Sequence, residues 1–239
     1  MIPLRDANPS RRLPVVMGLL ILVNALVFLV ELSWPPQQQE RMFYDLGLVP
    51  ARYFGPPGDV MPVGGMAAPS TAAYLWPFLT HMFLHAGWLH VLSNMWILWI
   101  FGDNVEDRMG HGRFLLFYLI CGLAAAGTQM FLSRGSDVPM VGASGAIAGV
   151  LGAYVLLYPL AQVLVVLPIL FYPWFFRVPA LVYIAIWFGL QLLSGTQALS
   201  SAGQEGPGVA WWAHVGGFLA GMALCPLLAR RPRGARERT

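Results

Sequence analysis

A chain of 239 residues that is 57% hydrophobic and 10% charged falls well below the roughly 25% charge of ordinary soluble domains, which excludes a water-soluble globular fold. Its 14 basic residues are all arginine and leave a net charge of +3, without the basic stripe that nucleic-acid readers display. The two cysteines, Cys121 and Cys225, lie inside apolar runs with no metal-type spacing and read as core residues.

In chain order, residues 1–14 carry Arg5, Arg11 and Arg12 and read as a cytoplasmic segment. The apolar run that follows is too long for a signal peptide and lacks a small-residue cleavage site, so it reads as an uncleaved first span, 15–33. Residues 34–84 form a long loop rich in proline and glycine, with Trp34, Tyr44, Tyr53, Phe54, Tyr74 and Trp76 along it. Aromatics at that density suit a loop half sunk in the membrane interface.

Further spans are predicted over 89–104, 114–132, 144–158, 178–194 and 211–229. The fourth is short against the roughly 20 residues that cross a bilayer, which implies shelter by its neighbours and a bundle with an internal polar cavity. Residues 160–176 carry no charge and mimic a seventh span, but Pro168 and Pro173 interrupt them.

Arginine placement decides the count. Six spans put Arg5, Arg11, Arg12, Arg108, Arg113, Arg177, Arg230, Arg231, Arg233, Arg236 and Arg238 inside, against Arg41, Arg52 and Arg134 outside. Seven spans would move the arginine-rich tail, 230–239, to the face opposite the N-terminus, against the positive-inside rule. Residues 160–176 are therefore expected as a cytoplasmic, partly interfacial connection, and 15–229 as one all-α membrane domain of six transmembrane helices with a long, partly embedded first loop.

Polar side chains within spans are costly and are functional candidates by default. Three groups stand out: His81, His85, His90 and Asn94 at the entrance to the second span, Gly142-Ala143-Ser144-Gly145 opening the fourth, and Ala213-His214-Val215-Gly216-Gly217 opening the sixth. With the N-terminus inside, every even-numbered span starts at the outer face, so Asn94, Ser144 and His214 share one depth. A hydroxyl, an imidazole base and neutral donors are the parts of acyl-transfer chemistry. Ser144 and His214 would form a dyad, with the helix N-terminus at Ser144 and the side chains of His90 and Asn94 offering an oxyanion hole.

Other readings compete for these residues. Gly142, Gly145, Gly149 and Gly152, like Gly217 and Gly221, also fit the small-residue pattern of close-packed membrane helices. His81 and His85 stand four residues apart but lack an acidic or cysteine partner, so a structural role in the loop is expected rather than a metal site. Asp103, Glu106 and Arg108 are expected to pair locally at the cytoplasmic end of the second span.

The combination of His90-x-x-x-Asn94, Gly142-Ala143-Ser144-Gly145 and Ala213-His214-x-Gly216-Gly217-x-x-x-Gly221, in this order and frame, resembles the rhomboid family over about residues 70 to 229. The resemblance implies an intramembrane serine endopeptidase that cleaves single-span membrane proteins in or near the outer leaflet. It gives Ser144 and His214 the catalytic dyad, and the oxyanion hole to the Ser144 amide with His90 and Asn94. No cofactor, metal or nucleic acid is implied.

Two departures from the family pattern stand in the sequence. Relatives often carry an aromatic four residues after the nucleophile that stacks on the catalytic histidine, whereas this chain has Ala148, leaving Trp211, Trp212 or Tyr154 as candidate supports for the ring. A Trp-Arg pair frequent in the first loop is Trp76-Pro77 here. The family's gate corresponds to about 178–210, where Gly195, Gly203, Gly206 and Gly208 suit a lid.

The rivals are a proteolytically inactive rhomboid-like protein that binds membrane proteins for quality control, and a small transporter with a histidine-lined path. The first would be marked by loss of the serine or histidine, and both are present. The second wants ionisable residues in the inner halves of the spans, which are few. The absence of lysine points to a GC-rich, bacterial genome, and hence to a bacterial cytoplasmic membrane with both termini in the cytoplasm.

Overall fold

The computed structural model describes residues 1–54, 71–169, 172–200 and 210–230. Strand β1 (Ile2–Asp6) precedes helix α1 (Val15–Leu32). The first loop holds α2 (Pro36–Leu46), α3 (Ala51–Phe54), α4 (Thr71–Leu75) and α5 (Pro77–Thr80), and ends in a 3-10 turn at His81–Phe83. Helices α6 (Trp88–Met109), α7 (His111–Leu132) and α8 (Ser144–Leu157) lead to β2 (Gln162–Ile169) and β3 (Tyr172–Pro179), then α9 (Ala180–Ser200) and α10 (Trp211–Leu228).

Among the described residues, four helices are long and apolar enough to cross a membrane: α1, α7, α10 and Ala180–Ala198 of α9. Helix α8 is apolar but shorter. Helix α6 has 22 residues and carries Asp103, Glu106, Asp107 and Arg108 in its last turns. Its helical conformation runs past the end of the apolar stretch predicted at 104 and stops where Gly110 takes φ +82°. There a methyl group would meet the Arg230 guanidinium at 2.6 Å.

Helix α8 lies at the centre, with Ala146, Ala148, Val150, Leu151 and Ala153 all at most 2% exposed. Its glycines let α10 approach to backbone contact. A methyl on Gly217 would sit 2.0 Å from the Gly145 carbonyl oxygen, one on Gly221 2.0 Å from that of Gly149, and one on Gly152 2.2 Å from that of Phe218. Close approach of this kind is how membrane helices associate without a hydrophobic driving force between them. The packing role expected of these glycines therefore coexists with their place beside Ser144.

The expectation of an all-α chain needs correcting. Strands β2 and β3 pair antiparallel, and β1 adds to the free edge of β2 in the order β1-β2-β3. Arg5 pairs with Leu164, which pairs with Arg177. The β-branched run of β2 buries Val163 and Val165 completely on the face toward the bundle, the period-2 pattern of a half-buried strand. Pro168 and Pro173 face each other near the tip, at the hairpin's end rather than its centre, where proline is tolerated.

One further difference concerns the segment before α10. Helix α9 extends to Ser200 rather than ending at 194, so Gly195, expected in a lid, is helical, and a methyl there would press the Trp212 ring at 3.1 Å. Gly203, Gly206 and Gly208 lie outside the described residues, as do 55–70 of the first loop and 231–239 of the tail. The 133–143 stretch pairs with the first loop through the Leu48–Met140 bridge.

Candidate active site

Ser144 is the first residue of α8, and His214 lies in the first turn of α10, its amide donating to the Ala210 carbonyl. Because Gly145 and Gly217 let these helix starts touch, the two side chains meet. Ser144 Oγ stands 2.8 Å from His214 Nε2. His214 is 9% exposed, while Ser144 is half-buried on the wall of a cavity of about 680 Å³.

The approach to Ser144 depends on Gly142. Its φ of +121° belongs to the region that glycine alone adopts without strain, and its amide donates to the His81 carbonyl at 2.8 Å. A methyl on Gly142 would come 2.6 Å from His90 Nε2 and 3.6 Å from Asn94 Nδ2. Both side chains of the α6 pair thus converge on the backbone two residues before Ser144, and His90, Asn94, Ser144 and His214 all line the same cavity. At the N-terminus of α8 the first amides have no carbonyl partner within the helix and present the positive end of its dipole.

Behind this wall the loop histidines act as structure. The Asn94 Nδ2 group donates to His85 Nε2 at 3.0 Å, and the His85 amide donates to the Glu31 carboxylate at 3.2 and 3.3 Å. His81 Nδ1 donates to the Pro77 carbonyl at 2.7 Å. Burial pushes both rings down to about 4, helped at His85 by neighbouring His90, so each is neutral near pH 7. Among the described residues no three His, Cys, Asp or Glu side chains are grouped to hold a metal ion.

The support of the His214 ring, left open by Ala148, comes from α9. Gln191 Oε1 accepts a hydrogen bond from His214 Nδ1 at 2.7 Å and is itself 6% exposed. The Trp187 ring lies 5.9 Å from the imidazole at 39°. Of the three candidate supports, Trp211 meets the imidazole edge-on at 6.3 Å. Trp212 packs instead toward Gly195, and Tyr154 donates its hydroxyl to Asp6. Gln191 was detectable as a single amide in an otherwise apolar run, the kind of residue that membrane burial penalises.

The charged cluster at the far end of α6 has other work. Glu106 is engaged in local structure. Its carboxylate accepts the Val16 and Met17 amides at 2.9 and 2.7 Å, and His111 Nδ1 at 2.5 Å. Arg108 donates to the Arg230 carbonyl and lies over the Tyr158 ring. These contacts tie α1 and Arg230, just beyond α10, to α6.

Comparison with known proteins places this constellation. Rhomboid protease GluP of Bacillus subtilis is 44% identical over 78 residues, 33% of this chain and 15% of that protein. RHOMBOID-like protein 6, mitochondrial, of Arabidopsis thaliana is 32% identical over 163 residues, 68% of this chain and 46% of that protein. Rhomboid-type serine protease 2 of Emericella nidulans is 30% identical over 171 residues, 67% of this chain and 28% of that protein. The chain thus spans less than half the length of each of these relatives. The family model for the Rhomboid domain matches residues 72–231, a stretch that holds His90, Asn94, Ser144 and His214 together with the α8–α10 glycine contact, and the chain belongs to the rhomboid family.

Proposed function

We propose that this chain is an intramembrane serine endopeptidase of the rhomboid type that cleaves single-span membrane proteins in or near the outer leaflet. The observation that carries the proposal is the 2.8 Å contact between Ser144 Oγ and His214 Nε2 on a cavity wall that also holds His90 and Asn94. A serine hydroxyl is a weak nucleophile until a positioned base takes its proton. In this reading Ser144 Oγ attacks the scissile carbonyl carbon as its proton passes to His214 Nε2. The oxyanion is held by the Ser144 amide and by the side chains of His90 and Asn94. Collapse expels the amine, which takes the proton from His214, and water then hydrolyses the acyl-enzyme with His214 again as base. No cofactor or metal enters these steps.

The membrane arrangement belongs to the same proposal. Helices α1, α6, α7, α8, α9 and α10 form a six-span bundle, the first loop is partly embedded, and both termini face the cytoplasm of a bacterial cell. The excess of arginine on that side supports the orientation.

A fluorophosphonate probe tests the reading without knowledge of a natural substrate. Labelling of Ser144 is expected, lost in Ser144→Ala and His214→Ala, with cleavage of a transmembrane reporter in liposomes lost in parallel. Removal of either member of such a unit costs on the order of 10⁴-fold or more in kcat. A proteolytically inactive rhomboid-like binding protein predicts no labelling, and undiminished cleavage by Ser144→Ala would overturn the assignment.

A further inference from the structure

We infer that Gln191 is the positioning residue of the dyad, holding His214 in the tautomer that carries its proton on Nδ1. The inference rests on the protease reading and deepens it. A neutral imidazole has one donor and one acceptor nitrogen, and the partner of one nitrogen sets the role of the other. Ser144 can be deprotonated only if Nε2 holds a lone pair. Gln191 Oε1 accepts from Nδ1 at 2.7 Å, which leaves Nε2 free toward Ser144 Oγ at 2.8 Å.

Among the described residues no Asp, Glu or Arg lines the cavity, and its other titratable rings, His81 and His90, are engaged elsewhere: His81 Nδ1 donates to Pro77, and His90 faces Gly142. A carboxylate in that place would have to be desolvated inside the bundle, which is costly unless it is paired. A neutral amide selects the same tautomer without that cost, and gives less support to the imidazolium that forms during attack.

Helix geometry makes the arrangement double. Trp187 and Gln191 are four residues apart on α9 and so share one face. One sets the plane of the imidazole through Nδ1, while the other lies against the ring at 5.9 Å. Together they take the place of the stacking aromatic that Ala148 lacks. The competence of the base therefore resides in α9 as much as in the helix that bears His214.

The test uses the full chain in liposomes with a transmembrane reporter, comparing wild type with Gln191→Leu and Gln191→Glu. Loss of the tautomer-setting group in a serine triad costs about 10⁴-fold, and a neutral amide contributes less than a carboxylate. Gln191→Leu should thus lose about 10²- to 10³-fold in kcat with KM unchanged. Gln191→Glu should restore much of that kcat and move the acid limb of the kcat/KM profile to higher pH, because a carboxylate stabilises the imidazolium. Wild-type kcat in Gln191→Leu would overturn the inference. So would equal loss in both variants with an unmoved pH profile, which is the mark of a packing role. An unlabelled Ser144 in wild type would instead sink the protease reading itself.

Discussion

The two ends of α6 each gather polar side chains against neighbouring helices, and they satisfy them in opposite ways. At the Glu106 end every carboxylate contact closes on structure: two amides of the first turn of α1 and the His111 ring. At the Asn94 end the groups are neutral, line a cavity of about 680 Å³ and point at one another across three helices. Buried polar groups at helix ends are thus not in themselves a sign of chemistry. The distinction lies in whether their hydrogen-bonding capacity is consumed by backbone or left facing an open cavity. Substitutions at the two ends should separate accordingly, one set changing turnover and the other stability.

Beyond the dyad and Gln191, the largest effect is expected at Gly142. Its φ of +121° and the 2.6 Å approach to His90 Nε2 leave no room for a side chain. Gly142→Ala should displace His90 from the oxyanion side and lower kcat by about 10²-fold, the size of losing one oxyanion donor. Backbone strain adds roughly 1–3 kcal/mol of destabilisation, which thermal unfolding in detergent would register. Normal turnover in this variant would detach His90 from the reaction.

At the other end the expected loss is of stability alone. Glu106 is 1% exposed, and removing its carboxylate leaves the buried Met17 amide without its partner, at about 1–3 kcal/mol, and the part-buried Val16 amide with it. Glu106→Ala should therefore lower the unfolding midpoint while leaving kcat per folded molecule, counted by fluorophosphonate labelling, within about twofold of wild type. A fall in kcat larger than the fall in labelled protein would erase the contrast between the two ends.

The sequence disclosed this contrast unevenly. Hydropathy located the apolar helices, and the alternation of direction expected between successive spans predicts a common depth for Ser144 and His214, whose side chains meet at 2.8 Å. Hydropathy reports the apolar stretch and not the helix, so the predicted span ends at 104, although α6 continues through three more charged residues to Met109. The sheet was hidden for two reasons. Residues 160–176 are apolar on both faces, which masks the period of 2, and β1 lies some 160 residues from its partner, a pairing no local pattern announces. Gln191 was invisible as a partner of His214 because the contact joins two helices through a single amide.

The sheet supplies the smallest and most selective test. Asp6, in β1, accepts from the Tyr154 hydroxyl at 2.5 Å and from Asn104 Nδ2 at 3.0 Å. Burial nevertheless dominates and raises its carboxyl to about 6, with nearby Asp103 adding to the rise. A folded value above the unfolded value of about 3.9 means that the folded protein binds this proton more tightly. The resulting stabilisation is fully present below about pH 4 and is lost as pH rises through 6. The unfolding midpoint of the wild type should fall across that window relative to Asp6→Asn, whose amide keeps an acceptor for Tyr154 without titrating. Because Asp6 is partly exposed, the difference should be small, and cleavage of the reporter should be unaffected by the substitution at pH 7. Parallel midpoint curves for the two proteins would show that the docking of β1 carries no proton linkage.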